Sequence, residues 1–303
     1  MNRKLIAVPL LAVATVLTLV GCSSADAQRT AASGTINVVA STDVWGSIAQ
    51  TIGGDHVAVT SIIDDPAKDP HQYEANAQNQ LALSKADVIV ENGGGYDDFV
   101  NTMITAARNE SAVRLNAVDI SGRQASANGA LNEHVWYDFA TVQKVIDQIE
   151  GAYSKVDAKD AAVFAGNADA LKGRIAAMEQ QEADLKTKYT GVGASITEPV
   201  PLYMLDAIGL ENKTSVEFSK AVEEDTDVAP SVLQETLALY SGHAVKLLAY
   251  NEQAPGAQAE AVLTAAKDNG IAVVPVTETL PEGKDYVGWM SDTLNAISAA
   301  LAQ

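Results

Sequence analysis

Short apolar runs alternate with longer stretches of helical periodicity near both ends of the chain. Early on, 35–41 reads as a buried strand, 44–53 as a helix and 56–63 as a second strand. A helical stretch then runs to Ser84, and Asp87-Val88-Ile89-Val90-Glu91 follows as a third strand. Brief apolar runs separated by helical segments predict βα units around a parallel sheet. The alternation returns late, where 244–250 is a predicted strand, 258–269 a helix and 271–276 a strand. Two Rossmann-like α/β lobes are the simplest account.

The stretch 161–189 has another character. Leu171, Ile175, Met178, Leu185 and Tyr189 recur at three- and four-residue spacing, Glu182 interrupts them, and the segment holds no proline. A helix of that length covers about 43 Å, enough to run across both lobes as a rigid beam. The expected organisation is an N-terminal α/β lobe over 35–160, a linking helix over 161–190 and a C-terminal α/β lobe over 191–303.

Ahead of the first strand, Arg3 and Lys4 precede an apolar run, 5–20, that is polar only at Thr15 and Thr18. A basic start, a short apolar core and a small residue before the cut mark a secretory leader. With Pro9 inside, the run falls short of the roughly 20 residues that a membrane-spanning helix needs. Leu19-Val20-Gly21-Cys22 is similar to a bacterial lipobox, whose cysteine becomes the lipid-bearing first residue of the mature chain. The expectation is a signal peptide over 1–21, lipidation at Cys22 and a flexible tether over 22–34, rich in Ala and Ser with Asp26 among them. The mature protein would then sit at the extracytoplasmic face of the cell membrane.

Composition narrows the choices. A formal net charge of −19 repels nucleic acid phosphates and anionic lipid alike, and suits a cationic ligand. With 47% apolar residues and a single cysteine, the fold must rest on packed cores and not on disulfides.

The chain has four histidines: His56, His71, His134 and His243. His56 opens a strand and His243 lies in a turn, so both read as structural. His71 follows Asp69-Pro70 beyond the second strand, at the edge of an open sheet where ligands bind. His134 sits in Asn132-Glu133-His134-Val135-Trp136-Tyr137-Asp138. Two acids stand at strand ends, Glu198 in Thr197-Glu198-Pro199 and Glu278 in Thr277-Glu278-Thr279. Gly93-Gly94-Gly95 lacks the spacing of a nucleotide-binding loop and reads as a turn.

Taken in order, these segments resemble the metal-binding lipoproteins, the solute-binding proteins, of bacterial zinc and manganese ABC importers. Asp69-Pro70-His71-Gln72-Tyr73-Glu74 is similar to the first ligand motif of that family and Asn132-Glu133-His134-Val135-Trp136 to its second. Thr197-Glu198-Pro199 with Tyr203-Met204 resembles the third, and Thr277-Glu278 the fourth. The resemblance implies one divalent cation in the cleft between lobes, held by His71, His134, Glu198 and Glu278. Three departures stand out: Glu133 replaces the usual proline, Glu278 replaces the usual aspartate, and the histidine-rich loop of many zinc members is missing from 121–129. Should Glu278 not ligate, Glu133 or Asp285 is next in line.

Two neutral imidazoles and two carboxylates would offset a doubly charged ion. Mixed nitrogen and oxygen donors suit Zn2+, Mn2+ or ferrous iron. Oxygen content and the absent histidine loop favour Mn2+, with Zn2+ left open. Tyr73, Asn132 and Asp138 are candidates for orienting the ligands. The function implied is a monomeric receptor that passes its metal to an ABC permease, not an enzyme. A tethered metal-dependent hydrolase is the alternative, weakened by the absence of a His-Glu-x-x-His motif; an adhesin on the same fold is another.

Overall fold

Valine and isoleucine dominate the predicted strands, and such β-branched runs pack well when both sheet faces are covered. In the computed structural model, which describes residues 34–65, 73, 76–125 and 131–303, they form two separate four-stranded parallel sheets. The first contains β1 (Ile36–Thr42), β2 (Val57–Ile63), β3 (Val88–Glu91) and β4 (Val113–Asn116) in the order β2-β1-β3-β4. Val38 of β1 lies opposite Val59 on one side and Val88 on the other. Helices α1 (Asp43–Gly53), α2 (Ala77–Lys85), α3 (Asp98–Ala107), α4 (Ala117–Ser121) and α5 (Phe139–Val156) accompany it.

The second sheet repeats this topology. Strands β5 (Gly193–Ile196), β6 (Glu211–Asn212), β7 (Leu247–Asn251) and β8 (Ala272–Val276) take the order β6-β5-β7-β8. Around it are α7 (Leu202–Ile208), α8 (Val216–Glu223), α9 (Pro230–Ser241), α10 (Ala257–Asp268) and α11 (Tyr286–Leu301). The strands β4 and β6 are absent from the sequence reading. Both are short and carry too few consecutive apolar residues for a clear signal.

Between the sheets runs α6 (Ala161–Tyr189), over the residues predicted to be helical. Its buried face is Phe164, Ala168, Leu171, Ile175, Met178, Glu182 and Leu185, a strict alternation of four- and three-residue steps. This stripe packs against α1 and α5 of the first lobe and α7 and α11 of the second. One hydrophobic core therefore continues from Val38 and Trp45 through Ile175 to Leu247 and Trp289. Smaller clusters lie beneath the outer helices of each lobe. Trp45, Trp136 and Trp289 are all buried.

Candidate metal centre

In both sheets the strand order reverses beside the first strand of the lobe, between β1 and β3 and between β5 and β7. Open parallel sheets offer ligand sites at such reversals, outside the carboxyl ends of the strands. In the second lobe this is where the acids lie. Glu198 follows β5 by two residues, Asn251 ends β7 and Glu278 follows β8 by two residues. Two prolines, Pro199 and Pro201, then turn the chain out of the sheet.

The side chains meet at a buried amide. Asn251 Nδ2 donates to Glu198 Oε2 and, at 2.9 Å, to Glu278 Oε1. Glu198, Glu278 and Asn251 are 4%, 5% and 0% exposed, so these bonds form away from solvent. Asn251 is itself fixed: its N–H donates to Thr197 Oγ1 at 2.9 Å, and its Oδ1 accepts from the Gln253 N–H at 3.1 Å. Gln253 Oε1 accepts the backbone N–H groups of Glu278 and Thr279, at 2.5 and 3.2 Å. The loop after β8 is thereby held against the loop after β7.

The first lobe contributes His134, 1% exposed, at the start of a short 3-10 turn over Val135–Tyr137. Its Nδ1 lies 2.7 Å from Asn132 Oδ1, an oxygen that can only accept. Nδ1 therefore carries the proton, and Nε2 keeps the lone pair that a metal needs. That Nε2 stands 4.0 Å from Glu278 Oε2. Tyr96 and Trp136 flank the ring.

The segment is braced from both lobes. Asn92 Nδ2 donates to Glu133 O at 3.0 Å, while Asn92 Oδ1 accepts from Trp45 Nε1. The glycines after Asn92 all adopt positive φ, and a Cβ at Gly93 would collide with the Asn116 amide. Across the cleft, Asn132 Nδ2 donates to Pro199 O at 3.0 Å and Tyr203 Oη to Asn132 O at 2.7 Å. Tyr137 Oη donates to Thr277 O at 2.9 Å.

The structure thus places His134 beside Glu278 and joins Glu278 to Glu198 through Asn251. The remaining candidate ligand, His71, lies outside the described residues, as does Cys22. Asn132 orients His134, as expected. Among the described residues the Tyr73 hydroxyl accepts from Asn76, and Asp138 pairs with Arg123 at 2.8 Å and accepts from Thr141. Asp285 is no substitute ligand, because it caps α11 through Gly288 N and pairs with Arg174. His56 meets Asp160 at 2.9 Å, and His243 occupies a turn at φ 49°.

Two further acids reach the cleft. Glu133 and Glu223, the last residue of α8, each offer a ligand atom that lies with one of His134 inside a 4.8 Å span. Burial raises the pKa of Glu133. Burial, followed by the charges of Glu133 and Glu278, pushes Glu223 up to about 8. A cavity of about 230 Å³ opens beside them, lined by Glu198, Glu223, Gln253 and Glu278 among others. Neither Asn251 nor Glu223 is singled out by the sequence. A polar residue ending an apolar strand is a usable signal for Asn251. Glu223-Glu224-Asp225 reads as a solvated acidic run.

A two-lobed parallel α/β protein with imidazole and carboxylate groups converging between its sheets belongs to the class of cleft-binding receptors for small charged solutes. The chain matches the family described as "ZnuA: Zinc-uptake complex component A periplasmic" over residues 38–300, and it is a member of that family. It is 25% identical over 299 residues to the manganese-binding lipoprotein MntA of Bacillus subtilis, covering 93% of this chain and 95% of that one. It is 26% identical over 310 residues to the iron ABC transporter substrate-binding lipoprotein MtsA of Streptococcus pyogenes serotype M1, covering 95% and 96%. The fold is shared with the solute-binding protein FpvC of Pseudomonas aeruginosa in complex with Mn2+. There the TM-score is 0.73 at 21% identity, over 88% of this chain and 98% of that one. Each of these descriptions is of a metal-binding or solute-binding protein, and none supports the hydrolase or adhesin alternatives. Among the described residues no helix is long and apolar enough to cross a membrane.

Proposed function

We propose that this protein is the extracytoplasmic receptor of a metal importer, which takes up one divalent transition metal, Mn2+ or Zn2+, and delivers it to an ABC permease. The observation that carries this reading is His134 Nε2 standing 4.0 Å from the Glu278 carboxylate, which Asn251 joins to that of Glu198, in a cleft with its hydrogen bonds already arranged. His71, His134, Glu198 and Glu278 are the ligands in this reading. Preorganisation of this kind favours binding, because little ordering remains to be done when the ion arrives. Cleavage after Gly21 and lipidation of Cys22 would keep the monomeric receptor beside its permease, on a tether over 22–34. A receptor needs no open position for an activated water, so catalysis has no part in this account.

Metal analysis of the purified protein, followed by competitive titration with Mn2+ and Zn2+, tests the reading. One equivalent of metal per chain is expected, and His134→Ala should abolish its binding. A wild-type protein that takes up neither ion would end the receptor reading. The anchor is checked separately, since Cys22→Ser should move the protein from the membrane to the soluble fraction.

A further inference from the structure

Four side chains account for the site as proposed, yet two more carboxylates point at it. Glu133 enters from the first lobe, next to His134, and Glu223 enters from the second, at the end of α8. They are supplied by different lobes and are far apart in the chain. Even so, one ligand atom of each lies with one of His134 inside a 4.8 Å span, the separation of donors that share a single ion. Glu223 Oε1 is sealed from solvent and has no hydrogen-bond partner among the described residues. A sealed carboxylate oxygen without a donor is unfavourable, and proteins discharge it with a proton, a basic side chain or a metal. Lys220, the basic side chain whose charge reaches Glu223, pairs with Glu224 at 3.6 Å.

We propose that Glu133 and Glu223 are additional oxygen ligands of the transported cation, so that the site closes around it with more than four donors and selects Mn2+ over Zn2+. The proposal rests on the receptor reading and extends its ligand set. With both added, the donors among the described residues are the imidazole nitrogen of His134 and four carboxylates. Such an oxygen-rich set suits a hard ion of octahedral preference, whereas Zn2+ settles into four-coordinate sites. Selectivity of this kind has to come from coordination number, because Mn2+ has the lowest intrinsic affinity of the first-row divalent series. The arrangement also couples binding to the lobes. An ion held by both would tie Glu133 of the first lobe to Glu223 of the second.

Metal competition on the full chain and two isosteric variants tests this. Affinities for Mn2+ and Zn2+ are measured against a chromogenic chelator for wild type, Glu223→Gln and Glu133→Gln. The coordination number of bound Mn2+ in the wild type is read by X-ray absorption. Each variant should lower Mn2+ affinity about tenfold or more, leave Zn2+ affinity within about threefold and raise the zinc-to-manganese preference accordingly. Wild-type Mn2+ should show five or six light-atom donors. Equal losses for both metals would reduce the two acids to a general negative field and overturn the proposal. Unchanged affinities, or a four-coordinate Mn2+ in the wild type, would overturn it as well. The absorption measurement needs no variant, so a variant that fails to fold leaves the test intact. A wild type that binds neither metal overturns the receptor reading itself, a result distinct from any of these.

Discussion

Asn251 shows how much one uncharged residue can do among charged ones. Its single amide nitrogen spends both hydrogens on carboxylates that would otherwise repel each other, one from Glu198 and one from Glu278. Its position is over-determined by Thr197 and Gln253. Removing the amide frees both acids to rotate. Asn251→Ala should therefore weaken metal binding about 10- to 100-fold, the usual effect of losing a residue that orients ligands. Asn251→Asp should be at least as damaging, since it removes the donors and adds a third negative charge. Wild-type affinity in either variant, measured by the same chelator competition, would show that the carboxylates hold their places unaided. At this scale the sequence was legible in part. The ordered motifs around His134, Glu198 and Glu278 single out side chains that the structure buries, Glu198 and Glu278 sharing Asn251 and His134 standing 4.0 Å from Glu278. Asn251 and Glu223 were missed because no local pattern separates an amide that bridges two acids, or an acid turned inward, from a polar residue facing water.

At the scale of elements, the long helix was the most readable part of the chain, and Glu182 its one discordant residue. The three- and four-residue alternation of α6 assigns Glu182 to the buried face, and the structure keeps it there, 6% exposed, with Oε1 unpartnered. Burial raises its pKa to about 8, helped by the charges of Glu179 and Asp138. The folded protein then holds a proton that the unfolded chain releases near the ordinary carboxylate value. Stability from this group is full below that value and is lost as pH climbs to about 8, at up to ~1.4 kcal/mol per pH unit. Glu182→Gln keeps the shape and removes the titration. Urea unfolding of the two proteins should show the variant gaining on the wild type between pH 5 and 8, then a constant difference above. A difference independent of pH would mean that Glu182 is ionised within the fold. The strands β4 and β6 escaped the sequence for the opposite reason: each is held by its parallel neighbour and not by a pattern of its own.

For the whole molecule, the question is whether two lobes mean two folding units. The doubled topology suggests that they do, since each sheet has its own helices and its own satellite cluster. The main core argues otherwise, because it runs without a break from the first sheet through α6 to the second. Hydrogen bonds reinforce it across the cleft: Asn132 to Pro199, Tyr203 to Asn132, Tyr137 to Thr277 and Tyr286 to Trp136. Exposing either lobe alone would strip the stripe of α6 on one side and leave Ile175 and Met178 in water. Each such side chain is worth about 1.5–3 kcal/mol when buried, a large share of the roughly 5–15 kcal/mol by which a domain is stable. The metal-free protein should therefore melt in one calorimetric transition, with van't Hoff and calorimetric enthalpies equal. Saturating metal should raise that transition as a unit, because an ion tied to both lobes binds only when both are folded. Two resolved transitions, with only the later one shifted by metal, would show that the lobes fold independently. The helix would then be a tether between them and not a shared core.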